Sequence, residues 1–526
     1  MLRFLYTGLI ASGLLLAAGC NKKFDEYSTN PNRPEQTPPS LVFTAVASDL
    51  NVDRPWSLVS RWNQFDLCNY NYYGDQRYDW TGASWNFTTL NNVRRMEEEA
   101  RRINLGEVNA YSALAKFMKA FFYYRMTSLN GDLPLTEALQ GVSKPNPKYD
   151  SQKDVFRQIL QWLDEANTDL QAVIAQSGDI KVDGDIYFGG KGTLSSWRKV
   201  VNAFQLRVLI ALSKKESDPD LNIKSRFAAI LGDAARYPLM ESEADNLQYT
   251  YSNVNKYPSN PDNLGFDATR YNMSATYLNT LVSLNDPRAF ITAEPATAQL
   301  KAGKTPADIT VYVGANPGED LADMSSKMAN ANEAAYSVRS RSRYYSSYAP
   351  EPGIIIGYAE QCFNIAEAAN RGWVSADAES WYKKGIRSSL ANYGVPVNGA
   401  GTVTKVYPFN APGATTYNIP FDFEGVYYRQ PSVAYAGNTT AGLNQILLQK
   451  YLAFFQNSGW EAYFNHRRTG VPQFGTGTGT GNGGVIPKRF QYPSSEQTTN
   501  RTAWAGAVQE QFGATDDINA SMWLIK

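Results

Sequence analysis

YAEQCFNIAEAANRGWVSADAESWYKKGIRSSLANYG, residues 358–394, is the stretch on which the fold is decided. It holds two apolar-periodic segments, Tyr358 to Asn370 and Ala376 to Asn392. Gly372 and Gly394 stand where glycines end helices. The pattern predicts a helix hairpin. Ala366-Glu367-Ala368 before Gly372, then Trp381-Tyr382 and Ile386, have tetratricopeptide-like spacing. A unit of this kind buries its apolar faces only against neighbouring units, so one hairpin implies several stacked side by side.

The same period recurs outward in both directions. Asn109 to Ser128 places Leu114, Phe117, Met118, Phe121 and Phe122 on one face. Ser151, with Asp154 three residues on, reads as a helix start, followed by Val155, Phe156, Ile159, Leu160, Leu163, Leu170 and Val173 at helical spacing. Trp197 to Ser213 and Leu443 to Gln456 repeat the pattern. The predicted class is mainly α, a tetratricopeptide-like helix-hairpin superhelix with long irregular loops and a few short β-hairpins. The loops are 64–90, 245–272, 292–350 and 395–440, rich in Asn, Tyr, Pro and Gly. Loops this long in a compact body usually carry function. Alternation in Thr310-Val311-Tyr312-Val313 suggests a short strand. Gly475 to Gly484 lacks the Lys-Ser/Thr of a phosphate loop and reads as a mobile surface loop.

Composition excludes several function classes. Lys plus Arg and Asp plus Glu are both 50, so no net field steers the chain toward nucleic acid. The single histidine, His466, has no identifiable nucleophile partner, and no Cys/His cluster has zinc spacing. No cofactor or metal is expected. Cys68 and Cys362 could pair or stay as buried thiols, and spacing does not decide between the two. Glu97 to Glu99 with Arg101 and Arg102 reads as ion pairs on a helix surface. Asp132 and Glu137 are carboxylates that nothing places across a cleft. Arg467-Arg468 reads as a structural hydrogen-bond hub.

At the N-terminus Arg3 precedes an apolar run from Phe4 to Ala18, and Leu16-Ala17-Ala18-Gly19-Cys20 follows. The run is shorter than the roughly 20 residues that span a bilayer. Its layout is that of a secretory signal, and the cysteine exit resembles a bacterial lipobox. The expected organisation is a signal peptide at 1–19, a lipidated Cys20 with a proline-rich tether at 20–40, and one helical body at 41–526. Lys22-Lys23-Phe24-Asp25-Glu26 resembles the surface-export signal of Bacteroidetes lipoproteins, and reads equally as a solvated linker.

Candidate binding residues come from the loops. A sugar offers a flat C–H face and a ring of hydroxyls, which aromatic rings and directional polar groups answer. Asn69 to Trp85 holds six aromatics in 17 residues against 13% for the chain, interleaved with polar groups. From it we take Tyr72, Tyr73, Arg77, Tyr78, Trp80 and Trp85 as ligand candidates. Most of these rings are expected to anchor the loop, and two or three to face the ligand. A second set is Arg343, Tyr344 and Tyr345, within Arg339 to Tyr348, where Arg and Tyr suit sugars, uronates or peptide carboxylates alike. Tyr427-Tyr428-Arg429-Gln430 is a third, less rich stretch.

An ordered set of segments resembles the SusD/RagB family of outer-membrane lipoproteins, in its SusD-like branch. The segments include Ala120 to Thr127 leading to Gly131-Asp132-Leu133-Pro134, Trp197-Arg198-Lys199-Val200, and Asn285-Asp286-Pro287-Arg288. Trp460-Glu461-Ala462-Tyr463, Arg467-Arg468-Thr469-Gly470 and Ile486-Pro487-Lys488-Arg489 follow in family order. Leu135 departs from the pattern, where an aromatic is common. The resemblance implies a superhelix that sits as a lid on a SusC-like TonB-dependent barrel and captures glycans, or in some members peptides, for import. It implies no enzyme activity, and no family motif marks the ligand contacts. Two other readings stay open: a surface glycan-degrading enzyme, which would release new reducing ends, and a helical-repeat adaptor, which would retain no small ligand whether or not Trp80→Ala and Tyr345→Ala are made. The lipobox generates its own test. Cys20→Ala abolishes lipid labelling and surface retention, while the soluble product keeps its melting temperature and its ligand. Retained labelling would overturn the assignment.

Overall fold

The computed structural model describes residues 36–188, 192–513 and 515–526. Cys20, the expected signal peptide and most of the tether lie outside the described residues.

Helices packed in chain order form the scaffold. Helix α1 (Pro39–Ser48) opens with proline in its first turn, where no intrahelical N–H bond is lost. It packs on α2 (Phe87–Arg102), which packs on α3 (Ala110–Asn130). The next pairings are α3 with α4 (Gln152–Ser177) and α4 with α5 (Leu194–Ala211). Asn109 and Ser112 cap α3 reciprocally, Ser151 caps α4 through the Asp154 N–H, and Thr193 and Ser196 cap α5. The predicted hairpin is present as α6 (Tyr358–Asn370) and α7 (Ala378–Ala391). Gly385 is required there, because a Cβ would come within 2.8 Å of the Phe363 ring. Helix α6 also packs on α5 and on α8 (Thr440–Ala453), and α9 (Glu461–Thr469) follows. One apolar core runs from Val42 to Ile525. Cys68 and Cys362 are buried free thiols.

Strands are few and short. β1 (Asp66–Cys68) pairs with β3 (Tyr271–Met273), and β2 (Leu247–Tyr249) with β4 (Gly353–Ile356), each joining distant parts of the chain. β5 (Ala400–Tyr407) and β6 (Thr415–Asp422) form a local hairpin. The strand expected at 310–313 is a 3-10 turn, Ile309–Val311. Asp308 explains it: its carboxylate accepts the Thr310 N–H at 2.8 Å, which favours a turn over a ladder.

The 475–484 loop is tied down rather than free-running. Gly479 N–H donates to Gly318 O at 2.9 Å, Tyr78 N–H donates to Thr480 O at 2.8 Å, and Thr480 is buried. A Cβ on Gly477 would meet the Gly318 carbonyl at 2.5 Å, so glycine is what lets the two backbones touch.

Buried charge locks the helices. Glu360 and Glu367 sit two turns apart on α6 and are both buried. Arg207 on α5 grips Glu360 through Nε at 2.6 Å and Nη2 at 2.5 Å. Arg468 on α9 grips Glu367 at 2.5 and 2.9 Å, and Lys450 on α8 donates to Asn364 beside it at 2.6 Å. Burial pushes the Glu367 pKa up, but Arg468, Lys450 and Arg371 outweigh it and hold the carboxyl at about 2. Its folded value is therefore depressed below the ordinary 4.5. The stability it contributes is present above the unfolded pKa and is lost as pH falls through the folded one. Glu367→Ala is expected to cost about 3–5 kcal/mol in urea unfolding at pH 7, because Arg468 is left buried and unpaired. For the wild type, melting temperature should fall between about pH 4.5 and 2 as this pair is titrated. A variant as stable as wild type at pH 7 would remove the pair from the account.

Candidate ligand-binding site

The β1–β3 pairing brings two loops together. In register Cys68 faces Tyr271, and the chain beyond β1 lies against the chain before β3. Asn69 secures the junction: its N–H donates to Arg270 O at 2.9 Å, and its side-chain amide donates to Thr269 O at 3.0 Å and Asn272 Oδ1 at 2.8 Å. The chain then turns through Asn71–Tyr73 to Gly74, whose φ of +87° favours glycine. Arg61 holds the turn from beneath, donating to Tyr73 O at 3.4 Å and Asp75 O at 3.0 Å.

A cluster of tyrosine rings results. Tyr73 lies 6.0 Å from Tyr70, 5.3 Å from Tyr72 and 5.9 Å from Tyr271 between ring centroids. The Arg270 guanidinium sits over the Tyr70 ring at 4.1 Å. Tyr73 Oη donates to Phe266 O at 3.2 Å, joining the two loops a second time. Tyr72 is 84% exposed, Phe266 58% and Tyr70 41%, a concentration of open aromatic surface. At the edge Arg77 pairs with Asp79 at 2.7 Å. The Asn482 N–H and Arg77 both hold the Asp79 carboxyl below its usual value.

Arg339 supports the platform from inside. It is buried with its guanidinium 4.1 Å from the Trp56 ring and 4.0 Å from the Tyr271 ring. Asp66 lies 3.5 Å away on one side and Asp267 4.0 Å on the other. Burial pushes both carboxyls up, and the Arg339 charge opposes that shift in each. Asp267 also accepts the Tyr345 hydroxyl at 2.7 Å.

The structure distributes the sequence candidates unevenly. Tyr72 and Tyr73 come together at the surface, and Arg77 is exposed with its guanidinium paired to Asp79. Tyr78 is buried and donates to Trp62 O at 2.8 Å. Trp80 is buried and stacks on Phe490 at 4.1 Å. Trp85 is half-buried with Nε1 on Asn130 Oδ1 at 3.1 Å. Arg343 is spent on Glu351 at 2.7 Å, and Tyr344 and Tyr345 lie in the core. Tyr427 and Tyr428 of the third stretch are buried as well. Phe266, Arg270 and Tyr271 escaped the sequence reading, although all three fall in or beside the 245–272 loop. The signal was the Arg-Tyr pair at its end, which only the β1–β3 register places beside Tyr70.

Carboxyls elsewhere act as structural groups. Asp132 is pushed up to about 7 by burial, with the Gln152 N–H opposing, and it serves the start of α4 by accepting that N–H at 2.7 Å. His466 bonds Pro472 O and stacks on Phe474 at 4.0 Å. Among the described residues, no group of three or more His, Cys, Asp or Glu is placed to hold a metal ion, and no helix is long and apolar enough to cross a membrane.

The helix-rich scaffold with only small antiparallel sheets is that of SusD-like proteins. The family model SusD-like_2, described as starch-binding and associating with the outer membrane, matches residues 31–493, and the chain belongs to that family. A SusD homolog from Bacteroides fragilis is 32% identical with a TM-score of 0.78, and covers 93% of this chain and 100% of its own. A second from the same species is 31% identical with a TM-score of 0.76 and the same coverage. A chitin-binding SusD homolog from Flavobacterium johnsoniae shares the fold, at 20% identity and a TM-score of 0.68, covering 93% of this chain and 98% of its own. No curated protein matches the chain.

Position should separate anchors from surface rings. Trp80→Ala is expected to cost about 3–5 kcal/mol in denaturant unfolding. Tyr72→Ala should change stability by no more than about 0.5 kcal/mol. Equal losses at the two sites would contradict this division.

Proposed function

We propose that this protein binds oligosaccharides at the cell surface and delivers them to a SusC-like TonB-dependent barrel, held beside it by lipid on Cys20. The observation that carries the reading is the tyrosine cluster of Tyr70, Tyr72, Tyr73 and Tyr271, exposed at Tyr70 and Tyr72, with Arg270 at its side. The largely exposed Tyr72 ring suits the C–H face of a sugar. Arg77, Asp79 and Asn71 give a polar rim that can answer hydroxyls. The family's description as starch-binding supports a glycan ligand, and its outer-membrane association supports the location. No covalent step is assigned to the site: its carboxylate, Asp79, is already occupied by Arg77 and the Asn482 N–H.

The test is affinity electrophoresis against neutral glycans, with starch and soluble chitin oligomers included. Tyr72→Ala and Tyr73→Ala should each weaken retention about 2- to 10-fold, the range for one lost stacking contact. No new reducing ends should appear on incubation, and the full-length protein should copurify with a barrel from its own membrane. Platform variants that bind every glycan as wild type does would refute the site.

A further inference from the structure

A second concavity lies beside the platform and belongs to neither its rings nor its rim. It is a cleft of about 270 Å³ that Thr269 shares with the loop carrying Arg270. Its walls come from three separate stretches: Glu294 to Thr297, Met328 to Arg341, and Tyr407 to Phe409 at the end of β5. Tyr336, Tyr407 and Phe409 are half-buried and give it aromatic sides. Asn332 stands exposed at the mouth, and its side-chain amide makes no hydrogen bond within the described residues.

The charges of the cleft do not cancel. Glu294 is buried and lies 3.2 Å from Lys405 Nζ, so this pair is internally balanced. Lys405 further donates to Ala293 O at 2.7 Å. At the far wall the Tyr336 hydroxyl is held by Glu319 and Lys327, again a balanced pair. Arg341 remains. Its backbone N–H donates to Glu294 Oε1 at 2.6 Å, which fixes the residue at the cleft wall. Its guanidinium has no hydrogen bond or ion pair among the described residues, and its Nε is buried without a partner. A half-buried guanidinium with no anion beside it is costly unless a counter-charge comes from outside the chain. Other interior guanidiniums, such as those of Arg339 and Arg489, also leave an N–H unpaired, but each has a carboxylate within ion-pair distance, Asp66 and Asp516, which Arg341 lacks among the described residues.

We propose that this cleft is a second ligand site, which takes the carboxylate of an acidic sugar on Arg341 while the sugar ring stacks against Tyr336, Tyr407 and Phe409. A guanidinium fork matches a carboxylate in two parallel hydrogen bonds. The aromatic sides and the free Asn332 amide answer the ring face and its hydroxyls, and together they favour a uronate over a peptide terminus. The site is separate from the tyrosine platform, so either can fail without the other.

The test uses tetragalacturonate and its fully methyl-esterified form, titrated calorimetrically into the purified body. Wild type should bind the acid at least about 10-fold more tightly than the ester, the difference expected of a charge-assisted bond. Arg341→Gln should erase that preference with an unchanged melting temperature, and Arg341→Lys should recover part of it. Phe409→Ala should weaken acid and ester alike, which keeps the cleft testable if an Arg341 variant fails to fold. Tyr72→Ala, on the platform, should leave the preference intact. Equal binding of acid and ester, no binding of either, or a preference that survives Arg341→Gln would overturn the proposal. So would Arg341-dependent binding of a tetrapeptide with a free C-terminus in place of the galacturonate.

Discussion

Glu367 carries a negative charge where no water reaches it, and the arrangement of the surrounding helices follows from that. A buried carboxylate is tolerated only when cations and hydrogen bonds surround it closely. Here they arrive from different parts of the chain: Arg468 on α9, Lys450 on α8 and Arg371 just past α6 itself. Two turns earlier Glu360 makes the same demand of Arg207 on α5. Helix α6 therefore acts as a post to which three other helices are pinned by charge. Apolar packing alone would accept small slides between them, because it is not directional. Paired charges at 2.5 to 2.9 Å do not.

Once the helices are fixed, the irregular half of the molecule can be hung from them. The loops reach one another through strand pairs of three or four residues and through single side chains such as Asn69 and Arg61. These pairings are short but span large sequence separations, so each converts a fold-level arrangement into a local one. The glycine loop at 475–484 works in the same way, by bringing its backbone directly against residues 318 and 319. The proposed binding surface is thus made by rigid anchorage of otherwise irregular chain.

The sequence made the scaffold readable and left the site half-hidden, for physical reasons. Helical period is a local property, so α3, α4, α5 and the α6–α7 hairpin could be placed within a few residues. Helix α1 was missed because Pro38 and Pro39 look like a linker until their first-turn position is seen. Many residues of the segments that carry the family likeness prove to be buried: Asp286 and Arg288 pair with no exposure, Arg489 pairs with Asp516, and Trp460 lies in the core. These side chains serve packing, so they say little about ligand. For the aromatic loop the difficulty was different. Tyr72 and Trp80 are equally suited to stacking on a sugar, and only tertiary burial sends one outward and the other onto Phe490. Phe266 and Arg270 lie almost 200 residues away, beyond any local pattern.

Arg339 has a consequence for how such a surface would behave. Wedged between Trp56 and Tyr271 and flanked by Asp66 and Asp267, it ties one ring of the platform, and the roots of both its loops, to the interior. A ligand stacking on Tyr271 meets a ring that is already in place, so little conformational entropy of that ring remains to be lost on contact. Recognition then depends on how well a flat molecule fits a fixed surface and needs no loop to fold around it. A contact of that kind forms without waiting for rearrangement and can be undone without one, as the proposed delivery of a ligand to a barrel would require.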